Sequence, residues 1–225
     1  MTTGTATAIP SLEALGRVLE YPGPDLPERL EACRATMAGS HPGAARLAAR
    51  VTALLEASSV EEFEETYARS FDLTPACAPY ATVHLFGQES FKRGEFMARL
   101  QVRYAESGFD AGSELPDHVA LLLRYAARAG HDEAGELAQY CLMTPLVRMA
   151  AALDEGNPFA LLLLAAGEVL REEFPDCAPA PLPVEQMRTH GGVGGCGDAG
   201  ATPSPCAAGC GAIKASLEPE TVDAR

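Results

Sequence analysis

Glu114, Asp117 and His118 stand within five residues of one another in the hexapeptide SELPDH, residues 113–118. Two carboxylates beside an imidazole can pair with cations, and the imidazole can carry a proton or bind a metal. Other polar groups gather just upstream, where Asp72, His84, Glu89 and Arg93 lie near Gly87 and Gly94. No familiar catalytic pattern joins them. The zinc-protease HExxH, the phosphate-binding GxxxxGK and the nucleophile elbow GxSxG are all missing. Cys77 with His84 is the one nucleophile–base pair the chemistry permits, and nothing in the flanking sequence supports it. No residue is therefore assigned to catalysis, and nothing calls for a resident cofactor.

Helix initiation offers a second account of SELPDH. A residue before proline is pushed out of the helical region, so Leu115 stays extended and Pro116 takes the first helical position. Asp117 then sits where a carboxylate favours the positive end of the helix dipole. His118, in the same turn, resists protonation there. Helix initiation accounts for Pro116 and Asp117. It leaves Glu114 and His118 unexplained.

The elements that must hold these residues read as helices. Asp25 can cap a helix whose Leu26, Leu30, Cys33 and Met37 share one face. Ser59 to Glu62 spells a capping box, with Val60, Phe63 and Tyr67 behind it. A long helix over residues 88–107 stops at Gly108. Pro116 opens another that runs to Gly130, and residues 132–154 form one more, bent or broken at Pro145. Asn157 and Pro158 start the last, whose buried stripe includes Phe159, Leu162, Leu163 and Leu170. No stretch alternates with the period of a strand. The fold class is all-α: a single-domain helical bundle with a flexible Gly/Pro/Cys-rich C-terminal tail.

Composition sets the boundaries. All 14 aromatic residues lie between Tyr21 and Phe174, and the 51 residues after Phe174 hold seven prolines and eight glycines. Such a segment cannot bury enough apolar surface to offset its ordering entropy. The expected division is a flexible N-terminus over 1–10, a folded body over 11–174 and a low-complexity tail over 175–225. The tail fragment GVGGCG, residues 192–197, fits G-x-G-x-x-G but lacks the preceding strand and following helix that the motif needs. His190, Cys196, Cys206 and Cys210 could together hold a metal, yet their spacing lacks paired C-x-x-C knuckles. Idle thiols are the reading here, with a metal or redox site as the weak alternative.

The formal net charge is −14, and no basic cluster exceeds Lys92-Arg93. That excludes a nucleic-acid partner. Acidity suits a cationic peptide and also keeps a chain soluble. The longest apolar run, residues 159–167, is far short of a membrane span, so no direct membrane insertion is expected. The start, MTTGTATAIP, has neither the basic nor the apolar region of a secretory signal, and the seven cysteines form no disulfide framework. A cytoplasmic protein follows.

Residues 67–127 resemble the nitrate reductase molybdenum cofactor assembly chaperones, the NarJ family, among the wider TorD-like chaperones. The matching features are Tyr67 with Phe71-Asp72, Tyr80, His84-Leu85 before Gly87, Arg93-Gly94, Leu100, Tyr104, Gly108 and Glu114 to His118. LGRVLEYPGPDL, residues 15–26, looks like the family's opening helix and turn, and the resemblance covers roughly 12–174. Pro79 to Val83 and Gln88-Glu89 depart from the family pattern, which leaves the client open. The resemblance implies an all-helical, non-catalytic cytoplasmic chaperone, monomeric or weakly self-associating. Its partner would be the basic N-terminal segment of a molybdoenzyme catalytic subunit, held until the molybdenum cofactor is inserted and before membrane docking. A related enzyme of the dimethyl sulfoxide reductase family with a twin-arginine leader is the alternative client. The implied binding face comprises Tyr67, Phe71, Asp72, His84, Glu89, Arg93, Tyr104, Glu114, Asp117 and His118. Tyr67, Phe71 and Tyr104 would form an apolar floor, and Glu114 and Asp117 would pair with client cations. A core or capping role stays open for each.

Overall fold

A computed structural model describes residues 8–72 and 75–180. The tail candidates His190, Cys196, Cys206 and Cys210 lie outside the described residues. The first four helices are α1 (Pro10–Val18), α2 (Leu26–Met37), α3 (Pro42–Glu56) and α4 (Val60–Tyr67), the last widening into a π turn over Ala68–Asp72. Next come α5 (Ala81–Phe86), α6 (Phe91–Ser107) and α7 (Val119–Ala126). Then α8 (His131–Glu136) passes through a π segment, Leu137–Leu142, into α9 (Met143–Ala152), and α10 (Pro158–Glu173) ends the series. Among the described residues there is no strand, only one isolated antiparallel bridge between Tyr80 and His118.

Local chemistry explains most boundaries. The Ser59 hydroxyl accepts the Glu62 amide at 3.3 Å, and the Asn157 side chain accepts the Phe159 amide at 2.9 Å. Gly108 turns left-handed at φ 68° and closes α6, with the Phe109 amide donating back to Tyr104. Asp25 precedes α2 as expected, but its carboxylate pairs with Arg29 at 3.1 Å instead of capping the backbone. The interruption attributed to Pro145 falls one turn earlier, in the π segment 137–142. Pro145 has no N–H for the Cys141 carbonyl, and its ring crowds that oxygen, so the turn before it widens.

In the core, α1 packs on α2, α7 and α10, while α10 lies against α3 and α9. Leu12, Leu15, Leu30, Leu122, Leu123 and Phe159 are completely or almost completely buried there. Two polar ties fix the bundle's ends. His41 places one ring nitrogen 2.8 Å from Glu172 and the other 3.1 Å from Glu173, joining the start of α3 to the end of α10. The Asn157 amide donates to the Ser70 hydroxyl at 2.8 Å, joining the start of α10 to the π turn after α4.

The approach of α1 to α7 requires glycine. A Cβ on Gly16 would lie 2.5 Å from Arg124 Cγ and 2.7 Å from the Ala120 carbonyl oxygen. One of those atoms is backbone, so the helices would have to separate. Gly16→Ala is expected to cost about 1–3 kcal/mol, read as a lower urea midpoint at unchanged helicity.

Candidate peptide-binding cleft

A cleft of about 410 Å³ opens where the ends of α1, α4 and α7 converge. Its floor is aromatic. The Tyr67 ring meets Phe71 at 5.0 Å, Tyr21 at 5.3 Å and Phe159 at 5.3 Å, all edge to face. Its rim is acidic, with Glu20 from the turn after α1, Asp72 from the π turn and Glu114 from the loop before α7. Burial pushes the Tyr67 phenol well up, and the charges of Glu114, Asp72 and Glu20 add to it, as does the neighbouring Tyr80. These three carboxylates therefore act on the same small volume.

The far wall is built by the bridge. The Ala81 amide donates to the Asp117 carbonyl and the Val119 amide to the Pro79 carbonyl, both at 2.9 Å. This clamps the entry to α5 onto the entry to α7 and sets Tyr80 beside His118, ring centroids 5.7 Å apart. Below it, Asp117 is fully buried. Its Oδ2 accepts the Thr82 hydroxyl and, at 3.5 Å, Arg93 Nε, which also donates to the Thr82 oxygen at 3.0 Å. Its Oδ1 is buried without a hydrogen-bond partner among the described residues. The Tyr104 hydroxyl donates to the Pro116 carbonyl at 2.8 Å and holds the loop from the other side.

This geometry corrects the expected helix start. Pro116 and Asp117 do not open α7, because their carbonyls are engaged by Tyr104 and by the bridge. The cap is His118, extended at φ −61° and ψ 132°, whose Nδ1 accepts the Ala120 amide at 3.2 Å. Nδ1 thus carries a lone pair, and the ring proton sits on Nε2. Burial holds His118 below the ordinary histidine range despite the nearby charges of Glu114, Asp117 and Glu20.

Residues 38–155 match the family model described as nitrate reductase delta subunit. The chain belongs to this family. A solved structure with the same fold is described as a candidate redox enzyme maturation protein from Archaeoglobus fulgidus. It is 18% identical, with a TM-score of 0.51 over 71% of this chain and 91% of that one. No curated protein sequence matches. The solved structure shares the all-helical fold of this delta-subunit relative. The family match takes in the cleft residues from Tyr67 to Arg124, while Glu20 and Tyr21 precede it.

Of the expected face, the cleft of this delta-subunit relative brings together Tyr67, Phe71, Asp72, Glu114 and His118. Arg93 and Asp117 stand behind its wall as an ion pair with a buried carboxylate and a partly exposed guanidinium, so Asp117 is placed to hold the fold and does not line the cleft. Tyr104 is not part of the floor. It is buried against Phe109 at 4.9 Å and Tyr125 at 4.6 Å. Glu89 is exposed in the turn before α6 and does not line the cleft. His84 is also outside it. Its Nε2 lies 2.9 Å from the Ala78 carbonyl, an acceptor only, so that nitrogen bears the proton. The same nitrogen is 3.8 Å from Cys77 Sγ and cannot deprotonate it, and burial pushes that thiol up to about 11. The sequence reading missed Glu20, Tyr21, Tyr80 and Arg124 as wall residues. An acid next to an aromatic at a Tyr-Pro turn was the available signal for the first two.

Two outcomes follow. Asp117→Ala strands Arg93 and is expected to cost about 3 kcal/mol or more in urea unfolding, whereas exposed Glu114→Ala changes stability by less than about 0.5 kcal/mol. For His118 the folded value lies below the unfolded 6.5. The unfolded chain therefore takes up the proton first, and stability is lost as pH falls through that value. Urea midpoints should fall between about pH 7 and pH 5, and His118→Asn, which keeps a capping acceptor, should flatten the slope apart from a remainder due to His84.

Proposed function

We propose that the protein is a system-specific chaperone for a molybdoenzyme of nitrate reductase type. It binds the N-terminal segment of the catalytic subunit and keeps the apo-subunit competent for molybdenum cofactor insertion before membrane docking. It works in the cytoplasm, without catalysis, as a monomer or weak homo-oligomer. One observation carries this reading: a cleft with three carboxylates on its rim and aromatic rings on its floor, in a chain of the delta subunit family.

The chemistry suits a basic amphipathic helix. Its apolar face would rest on Tyr67 and Phe71, and an arginine or lysine would reach Glu114 or Asp72. Tyr80 and His118, pinned by the bridge, present a wall that needs little reordering on binding. The formal charge of −14 draws a cationic segment from a distance and makes capture sensitive to salt.

Calorimetry with synthetic N-terminal peptides tests this directly. A nitrate reductase catalytic-subunit peptide should bind, Phe71→Ala should weaken it about tenfold or more, and Glu114→Gln about threefold with a shallower salt dependence. Preference for a twin-arginine leader would move the client to an exported relative. Binding to neither, while a control chaperone binds its own peptide, would remove the reading altogether.

A further inference from the structure

The cleft already contains a cation. Arg124 projects from α7 into its wall, with its side chain 15% exposed, and donates from Nη1 to the Glu20 carboxylate at 2.6 Å. Glu20 is the more open partner, at 35%. Arg124 also lies 3.4 Å from Glu13 through Nε, and its guanidinium is 5.7 Å from the Phe109 ring. Glu13 has two further cations, Arg17 at 3.1 Å and Arg128 at 3.0 Å. The two carboxylates are thus unequal. Glu13 sits in a crowded network on the α1–α7 seam, while Glu20 faces the cleft and the structure gives it Arg124 as its ion-pair partner.

We propose that Arg124 is a built-in competitor for the client: it neutralises Glu20 in the empty cleft, and a client cation must take that carboxylate from it. The inference rests on the peptide-chaperone reading above. Three points favour it. Glu20, Asp72 and Glu114 ring one aromatic floor, so a cation entering there meets Glu20 within the same volume. Arg124 need not be stranded when Glu20 is taken, because Glu13 lies within reach of its Nε. The stem of Arg124 is held in place by the α1–α7 contact at Gly16, so its head can change partner without the helix moving. The result is a threshold. A guanidinium, which matches a carboxylate with two parallel hydrogen bonds, can displace another guanidinium, whereas a single ammonium competes poorly. Arg124 makes the cleft selective for arginine-bearing segments.

The test uses the full chain and the bound N-terminal peptide, titrated by calorimetry. Arg124→Met keeps the stem that packs on Gly16 and removes the charge. It should tighten binding about three- to fivefold and reduce the preference for an arginine peptide over its lysine counterpart. In a Glu20→Gln background the same substitution should give no gain. In the wild-type protein, the Arg124 Nε–H resonance should shift as peptide is added. Peptide binding that weakens with Glu114→Gln but is unchanged or weakened by Arg124→Met overturns the competitor while sparing the chaperone reading. An unmoved Arg124 resonance overturns it as well, even where the variant fails to fold. A wild-type chain that binds no peptide ends both.

Discussion

A buried carboxylate organises this molecule. Asp117 has no exposed surface, and its carboxylate accepts the Thr82 hydroxyl and is paired with the Arg93 guanidinium. A charge in that position is tolerated only where its partners are fixed. The pair therefore dictates where α5, α6 and the loop before α7 must meet. The backbone bridge between Tyr80 and His118 is built over it, and the cleft wall over the bridge. The guanidinium also lies 5.6 Å from the Tyr80 ring, so the ion pair touches the wall itself. Rim residues can vary in charge without disturbing this arrangement, but Asp117 and Arg93 cannot vary separately.

The polar residues of the middle segment thus divide by depth. Asp117, Thr82, Arg93, Tyr104 and His84 direct their hydrogen bonds inward, to one another or to carbonyls. Glu20, Asp72 and Glu114 face the cleft, above rings that keep the floor apolar. His118 belongs to both groups, since its Nδ1 caps α7 while its ring lines the wall. The proposed chaperone role needs such a division. A client segment has to be held by groups that cost the host little when released, and exposed carboxylates meet that need better than buried ones.

Several helices were legible because each of these carries its own local signal, whereas α5 was not foreseen. Ser59, Gly108 and Asn157 act through atoms within a few residues, and the expected boundaries fall close to those observed. SELPDH was misread for the opposite reason. Pro116 and Asp117 satisfy a local rule for starting a helix, but Tyr104 and the 79–81 segment claim their carbonyls first. Those partners are distant in sequence, and no spacing rule reveals them. Residue type was informative about which side chains matter and uninformative about which way they face. That is why Tyr104, Arg93 and Asp117 were expected on the surface of the cleft and stand behind it. Arg124 escaped notice because it sits in an otherwise apolar helix, where one arginine reads as a solvated position.

The pairing of Arg124 with Glu20 spans 104 residues of sequence. Closing so large a loop is entropically slow relative to forming any single helix. The two edges of the cleft come from opposite sides of that loop, α1 on one and α7 on the other. During synthesis the acidic rim is therefore scattered along a growing chain, and no cleft exists until α7 has emerged and docked. The site matures only with the protein's own fold, so an incomplete copy has no assembled cleft.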